Sequence, residues 1–268
     1  MTEQRFHYAK KQFGQNFLID ETIIEQIVSI IIAAKSEQIV EIGPGLGALT
    51  KRLLSLVKEL TVIEIDRDLI PQLERLGSGF NNLKIHQADI LKFDLATLSK
   101  PNQTIQVVGN LPYNISTPVL FHLSQYGSVV SEMIFMLQKE VVERICAHVG
   151  SKAYGRLTIM LQYHYQPQYL FTVPPQAFKP VPKVDSAVVR LTPYKIKPIV
   201  AQDEKLLTRI VTQAFNARRK TLKNALKGFI DEKLLTVLEI DSQLRPEAIT
   251  LQQYVSICNH LVNEKNLL

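Results

Sequence analysis

The sequence predicts an α/β protein, a mostly parallel sheet covered by helices on both faces and followed by a small all-helical domain. Three observations predict it. Between Gln38 and Val149, short β-branched runs alternate with segments of helical periodicity, and strands separated by helices pair in parallel with both faces buried. From Tyr163 the rhythm changes to two extended runs with only a Pro-rich stretch between them. From Gln202 to the end every segment has helical periodicity, broken at Gly228, Asp241 and Pro246.

Taken in order, Asp20 is an acidic N-cap candidate before apolar residues at helical spacing, the first helix. Gln38 to Ile42 is a β-branched strand ending at Gly43, and Ala48 to Val57 reads as helix. Glu59 to Ile65 is the next strand, Leu69 to Leu76 a helix, and Leu83 to Ala88 a strand ending at Asp89. Ile105 to Gly109 continues as strand and Thr117 to Gln125 as helix behind Ser116; Glu132 to Leu137 is strand and Lys139 to Val149 helix. Tyr163 to Val173 and Val184 to Leu191 are expected to close the sheet as a hairpin, which brings the strands to seven. Thr192 to Pro198 is a linker. The expected organisation is a basic N-terminal segment over 1–19, an α/β domain over 20–194 and a helical domain over 199–268.

Composition narrows the function classes. With 268 residues, 46% hydrophobic and 21% charged, the chain can bury a sizeable core and is not a disordered polymer. Cys146 and Cys258 are far apart, and the six histidines are scattered, so neither a disulfide framework nor a zinc site is expected, and no metal. The polar start carries Arg5, Lys10 and Lys11 without an apolar core, so it is no secretory signal, and a cytoplasmic protein is expected. The uncharged stretch 102–131 is interrupted by Asn110, Pro112, Asn114, Pro118 and Gly127, which excludes a membrane span there. A net charge of +6 favours a polyanionic partner.

The chemistry gathers at the strand ends. Gly43-Pro44-Gly45-Leu46-Gly47 lies between a strand and a helix, where glycines allow a ligand to approach the backbone. Glu64 follows Glu41 by 23 residues and is placed to take both hydroxyls of a ribose. Asp89 is placed to accept the exocyclic amine of an adenine. Such an adenosine pocket suits a nicotinamide dinucleotide or S-adenosylmethionine. The fourth strand end, Asn110-Leu111-Pro112-Tyr113, decides for the latter, because hydride transfer needs no such set. Pro112 holds Leu111 extended and fixes its carbonyl. That carbonyl and the Asn110 side-chain oxygen can accept both hydrogens of an exocyclic amine while Tyr113 stacks on its base. An exocyclic amine prepared in this way needs no general base.

These motifs, with Phe13-Gly14-Gln15-Asn16-Phe17-Leu18, the stretch from Ala177-Phe178 to Val184-Asp185-Ser186 and the segment Ala214 to Leu226, resemble the ribosomal RNA adenine dimethylases. The last segment is most similar to the bacterial small-subunit branch; the macrolide-resistance dimethylases share the first motifs. The resemblance implies a class I methyltransferase, Rossmann-like, that carries methyl groups from S-adenosylmethionine to N6 of two adjacent adenosines near the 3′ end of 16S rRNA. It releases S-adenosylhomocysteine and methylates each amine twice. It implies a cofactor site of Asn16, Leu18, Gly43, Gly45, Glu64, Asp89 and Asn110, and it makes Phe178 a second aromatic facing Tyr113 across the base. Asn110, Leu111, Pro112, Tyr113 and Phe178 then form the catalytic set.

Between Lys205 and Lys227 there are seven basic residues and no acidic one, which marks a phosphate-binding face with Arg218, Arg219, Lys220 and Lys223 as its RNA ligands. The expected partner is 16S rRNA within a small ribosomal subunit or its precursor, bound by a monomer. Methylation of 23S rRNA or DNA adenine and a non-catalytic role in ribosome assembly remain as alternatives. Leu111 and the Arg218-Arg219-Lys220 segment argue against DNA, and the intact glycine loop and Asn110 argue for activity.

Overall fold

The computed structural model describes Lys10 and residues 14–101 and 103–266. Its framework is a run of strands too apolar to face water. Strand β1 (Phe17–Leu18) precedes helix α1 (Glu21–Ala33), whose first turn is capped by the Asp20 carboxylate accepting from the Ile23 N–H at 3.1 Å. There follow β2 (Gln38–Ile42), α2 (Ala48–Leu53), β3 (Glu59–Glu64), α3 (Ile70–Gly77), β4 (Leu83–Gln87), β5 (Ile105–Asn110), α4 (Ser116–Leu123), β6 (Val130–Gln138) and α5 (Lys139–Ile145). Every residue of β2 is buried, as is all of β5 before Asn110. Such strands are stable only inside a covered parallel sheet.

The sheet has seven strands in the order β4-β3-β2-β5-β6-β9-β7, where β7 is Tyr165–Val173 and β9 is Ser186–Pro193. β4, β3, β2, β5 and β6 are parallel, and β9 runs antiparallel to β6. The chain winds outward from β2 through β4 and returns to the other side of β2 as β5, so its direction of travel reverses between β2 and β5. A crevice opens at the carboxyl ends of strands at such a point. Gly109 makes the close pairing there possible, since a Cβ on it would lie 2.3 Å from the Ile42 carbonyl oxygen.

The expected closing pair β7 and β9 is present, with β7 on the outside. The connection holds β8 (Phe178–Lys179), which leaves the main sheet and pairs antiparallel with β1. Helix α6 (Arg156–His164) precedes β7 and takes in Tyr163, which sequence periodicity assigns to a strand. Leu157 to Leu161 and Tyr163 are all buried, so α6 has no polar face to reveal a helical period.

Two compact units emerge. The first joins the chain up to Val142 with Gln168–Pro193; the second joins Glu143–Pro167 to the chain from Tyr194 onward. The helical unit therefore contains a segment from before β7 as well as α7 (Glu204–Asn216), α8 (Leu222–Ala225), α9 (Glu232–Val237) and α10 (Leu251–Asn266). Its core stacks Phe215 between Tyr154 and Tyr254, with ring centroids 6.4 and 6.3 Å apart. In the first unit Phe178 is only 1% exposed and belongs to the same apolar cluster as Leu18, Ile24, Val173 and Val188.

That burial generates the first prediction. Phe178→Ala should lower unfolding free energy by about 3–5 kcal/mol, the usual cost of removing a buried aromatic ring, measured by urea denaturation. A loss below about 1 kcal/mol with activity abolished is the opposite outcome, and it assigns Phe178 to base stacking.

Candidate active site

A cavity of about 300 Å³ occupies the crevice at the ends of β2, β3 and β5. It is lined by Asn16, Leu18, Gly43, Gly45, Glu64, Asp89, Asn110, Leu111, Pro112 and Tyr113, ten of the eleven residues expected at the cofactor and base sites; Phe178 alone stays outside.

 Phe178 is held in the apolar core, where its burial against Leu18 leaves no ring face open to a base. Phe13, Arg5 and Lys11 lie outside the described residues.

Backbone geometry builds the glycine loop. Gly45 has φ 59°, a left-handed conformation that costs other residues, and a Cβ there would press on the Phe17 ring at 3.1 Å. This turn aims the Gly45 N–H at Glu64 Oε2, 3.2 Å away, while Glu64 Oε1 accepts from the Asp66 N–H at 2.8 Å. The carboxylate is thereby fixed by backbone donors on both of its oxygens. Burial raises the Glu64 pKa, and the backbone donors of Asp66, Gly45 and Ile65 oppose that rise. Asp89 accepts from the Leu91 N–H through Oδ1 at 3.0 Å, and it lines the cavity beyond that turn.

At the end of β5 the Asn110 side chain donates through Nδ2 to the Asn16 carbonyl at 2.9 Å. This bond settles which way the amide faces: its nitrogen is engaged, so its oxygen is the acceptor left for a ligand. The turn after it is pinned by the Ile115 N–H donating to the Pro112 carbonyl at 3.1 Å and by Ser116 Oγ donating to the Tyr113 carbonyl at 3.2 Å. The Tyr113 hydroxyl lies 2.7 Å from Ser186 Oγ.

The strap that carries Asn16 is itself tied down. Gln15 Nε2 donates to Asp66 at 3.0 Å, and Lys10 Nζ reaches Asp66 and Asp68 at 2.6 and 2.7 Å. Sequence reasoning missed this clamp because Asp66 lies 51 and 56 residues from its partners. It also assigned no role to Glu41, which is 2% exposed at the cavity wall and accepts from Thr50 Oγ1 at 2.6 Å. Burial pushes the Glu41 carboxyl up to about 7, against the Thr50 hydrogen bond, and the Glu64 charge adds to the rise. The spacing of an acid and a hydroxyl across the glycine loop was the available signal.

In the helical unit the basic segment runs through α7 and α8, with Arg218, Arg219 and Lys220 in the turn between them and Lys223 in α8. Arg218 donates to the Lys152 carbonyl at 2.7 Å and lies 3.7 Å from Glu247, while Lys223 pairs with Glu232 at 3.3 Å. Arg219 and Lys220 are exposed. The four cations expected to act alike thus divide into two that brace the unit and two that face solvent.

A parallel sheet with a glycine-loop crevice at its switch point, acidic residues after β3 and β4 and an oriented amide after β5 define a class I methyltransferase fold. Residues 6–263 match the family model for Ribosomal RNA adenine dimethylase, and the chain belongs to that family. It is 48% identical over 265 residues to a protein of Pseudomonas putida named Ribosomal RNA small subunit methyltransferase A, covering 99% of each chain. A protein of the same name from Shewanella sediminis is 51% identical over 259 residues, 97% of each. Among solved structures, a dimethyladenosine transferase from Plasmodium falciparum superposes with a TM-score of 0.78 at 25% identity, over 93% of this chain and 98% of that one. The 23S rRNA methyltransferase ErmE shares the fold with a TM-score of 0.70 at 24% identity, over 92% of this chain and all of its own.

Glu41 supplies the prediction that follows from this geometry. Its folded pKa of about 7 lies above the ordinary 4.5, so its stabilising contribution is full below 4.5 and is lost as the pH rises through about 7. Glu41→Gln keeps an acceptor for Thr50 and cannot ionise. Thermal melts should show the variant gaining on the wild type as the pH rises from about 4.5 to about 7 and no further gain above it, and a difference in melting temperature that stays constant across that window assigns Glu41 no buried charge.

Proposed function

We propose that this chain transfers methyl groups from S-adenosylmethionine to N6 of two adjacent adenosines near the 3′ end of 16S rRNA, dimethylating each, during small-subunit biogenesis. The observation that carries this reading is the Asn110 amide, turned by the Asn16 carbonyl so that its oxygen is the acceptor at the cavity. The names of the relatives, small-subunit rRNA methyltransferases at about half identity over nearly full length, support the substrate.

The residues present fit the cofactor. Glu64 suits a pair of ribose hydroxyls, Asp89 suits an adenine amine, and the buried Glu41 carboxyl suits a cationic group. When bound, S-adenosylmethionine supplies an electrophilic methyl on a sulfonium sulfur. The chain's own contribution is to present the nucleophile. Asn110 Oδ1 and the Leu111 carbonyl accept the two hydrogens of the adenine amine, which favours a pyramidal nitrogen with its lone pair free to attack. Tyr113 offers the face on which the base rests. Acceptors placed in advance stabilise the positive charge that develops on nitrogen without a general base. No metal enters this scheme.

RNA is held by the helical unit, with Arg219 and Lys220 on phosphates, Arg218 and Lys223 holding the turn that presents them. On this reading the protein is a cytoplasmic monomer acting on the small subunit or its precursor. The decisive experiment treats 16S rRNA, free and in precursor subunits, and in parallel 23S rRNA and DNA, with the protein and labelled S-adenosylmethionine, then maps methylated nucleosides by mass. Label in two adjacent N6,N6-dimethyladenosines is the expected result; label only in 23S rRNA or DNA overturns the reading.

Asn110→Ala is expected to lower turnover at saturating cofactor and RNA by about two orders of magnitude, by analogy with removing one oriented polar group from a reacting centre. Normal turnover removes Asn110 from the mechanism. For the RNA, counterion release at two phosphates predicts that Arg219→Ala with Lys220→Ala flattens the slope of log affinity against log salt by about 1.4–1.8 units. Filter binding across a salt series measures it, and an unchanged slope puts the RNA footprint elsewhere.

A further inference from the structure

Ser186 reaches the site through the topology of the sheet. β9 runs antiparallel to β6, so its first residue, Ser186, pairs with Gln138, the last of β6. β6 is parallel to β5, whose last residue is Asn110, and all three residues therefore belong to the same edge of the sheet. Ser186 is 0% exposed, and its Oγ shares the 2.7 Å hydrogen bond with the Tyr113 hydroxyl across 73 residues of sequence. Tyr113 is half-buried and lines the cavity. Its backbone carbonyl is already held by Ser116, so the residue is fastened at its main chain and at the tip of its ring.

We infer that Ser186 is a positioning residue which, by holding the Tyr113 hydroxyl, fixes the face that orients the target base, and that this hold matters most for the second methyl placed on each amine. The inference rests on the adenine N6 dimethylation proposed above. In each transfer the amine nitrogen bonds to the methyl carbon as the carbon–sulfur bond breaks. The sulfur keeps that electron pair and S-adenosylhomocysteine leaves, while the nitrogen gives its extra proton to water. For the first transfer the amine has two N–H groups for two acceptors, Asn110 Oδ1 and the Leu111 carbonyl. After it one N–H remains. The methylated amine has lost one of its two directional restraints, so a larger share of its orientation comes from the aromatic face. A ring free to rotate about its side-chain bonds then slows the second transfer more than the first.

The test uses the full chain and three variants, Ser186→Ala, Tyr113→Phe and the two together, each checked for folding by circular dichroism and thermal melting. N6-monomethyladenosine and N6,N6-dimethyladenosine are compared at equal total methyl incorporation, a ratio that a smaller fraction of folded enzyme does not move. The second transfer should slow relative to the first by about fivefold, the worth of one ordinary hydrogen bond, so that the monomethyl product accumulates. All three variants should behave alike, since each removes the same bond. A folded Ser186→Ala protein with the wild-type ratio overturns the inference, as do single effects that add in the double variant. If Ser186→Ala does not fold, Tyr113→Phe decides by the same ratio. Failure of the wild-type protein to methylate adenosine in RNA refutes the proposed function; dimethylation by the wild type with an unchanged ratio in the variants refutes this inference alone.

Discussion

The parallel pairing of β2 with β5 is the constraint on which the rest of the molecule depends. It puts two loops that are far apart in sequence on one edge of the sheet, and it works only because Gly109 lets the β5 backbone come against the Ile42 carbonyl. With strands this apolar, the pairing cannot be solvated piecemeal, so the register that buries Val40 and Val107 also fixes where the glycine loop and Asn110 emerge. The site geometry is thus a consequence of core burial. Nothing in the loops has to find its partner unaided.

What the sheet does not supply, the N-terminal strap does. An asparagine amide at a strand end can rotate, and turned end for end it would exchange its donor for its acceptor. The Asn16 carbonyl prevents this, and Asn16 is held in turn by β1 pairing with β8 and by the clamp of Gln15 and Lys10 on Asp66. Lys10 therefore spends its charge inside the fold; the raised pKa of its amine comes from the hydrogen bonds to Asp66 and Asp68. A cation that looks free in the sequence is a fastening of the strap beside the cavity.

Sequence periodicity made the sheet legible because its strands alternate with amphipathic helices, and the strand-end residues Gly43, Glu64, Asp89 and Asn110 stood out because their types are rare in buried runs. The same logic failed at α6, which is buried on too many sides to show a period, and at β8, whose two residues are too few to form a pattern. Phe178 was legible as a motif residue but not in its placement. Its pairing with Leu18 and its burial depend on β8 leaving the main sheet, a long-range event with no local signal. Ser186 likewise acquires a partner only because β9 reverses direction, 73 residues after Tyr113.

The basic segment shows why charge density alone does not define a nucleic-acid interface. Arg218 is drawn inward because the Lys152 carbonyl offers an acceptor and Glu247 a charge, and its planar guanidinium can meet both at once. Lys223 finds Glu232, whose carboxyl is held low by the Ser242 hydroxyl and the Lys223 amine together. The turn after α7 is closed by the Lys220 N–H donating to the Ala217 carbonyl at 2.8 Å. The side-chain ties of Arg218 and, at the start of α8, of Lys223 flank the exposed Arg219 and Lys220. Arg218 and Lys223 are engaged by groups of the helical unit itself, and a count of cations along the sequence does not separate them from Arg219 and Lys220.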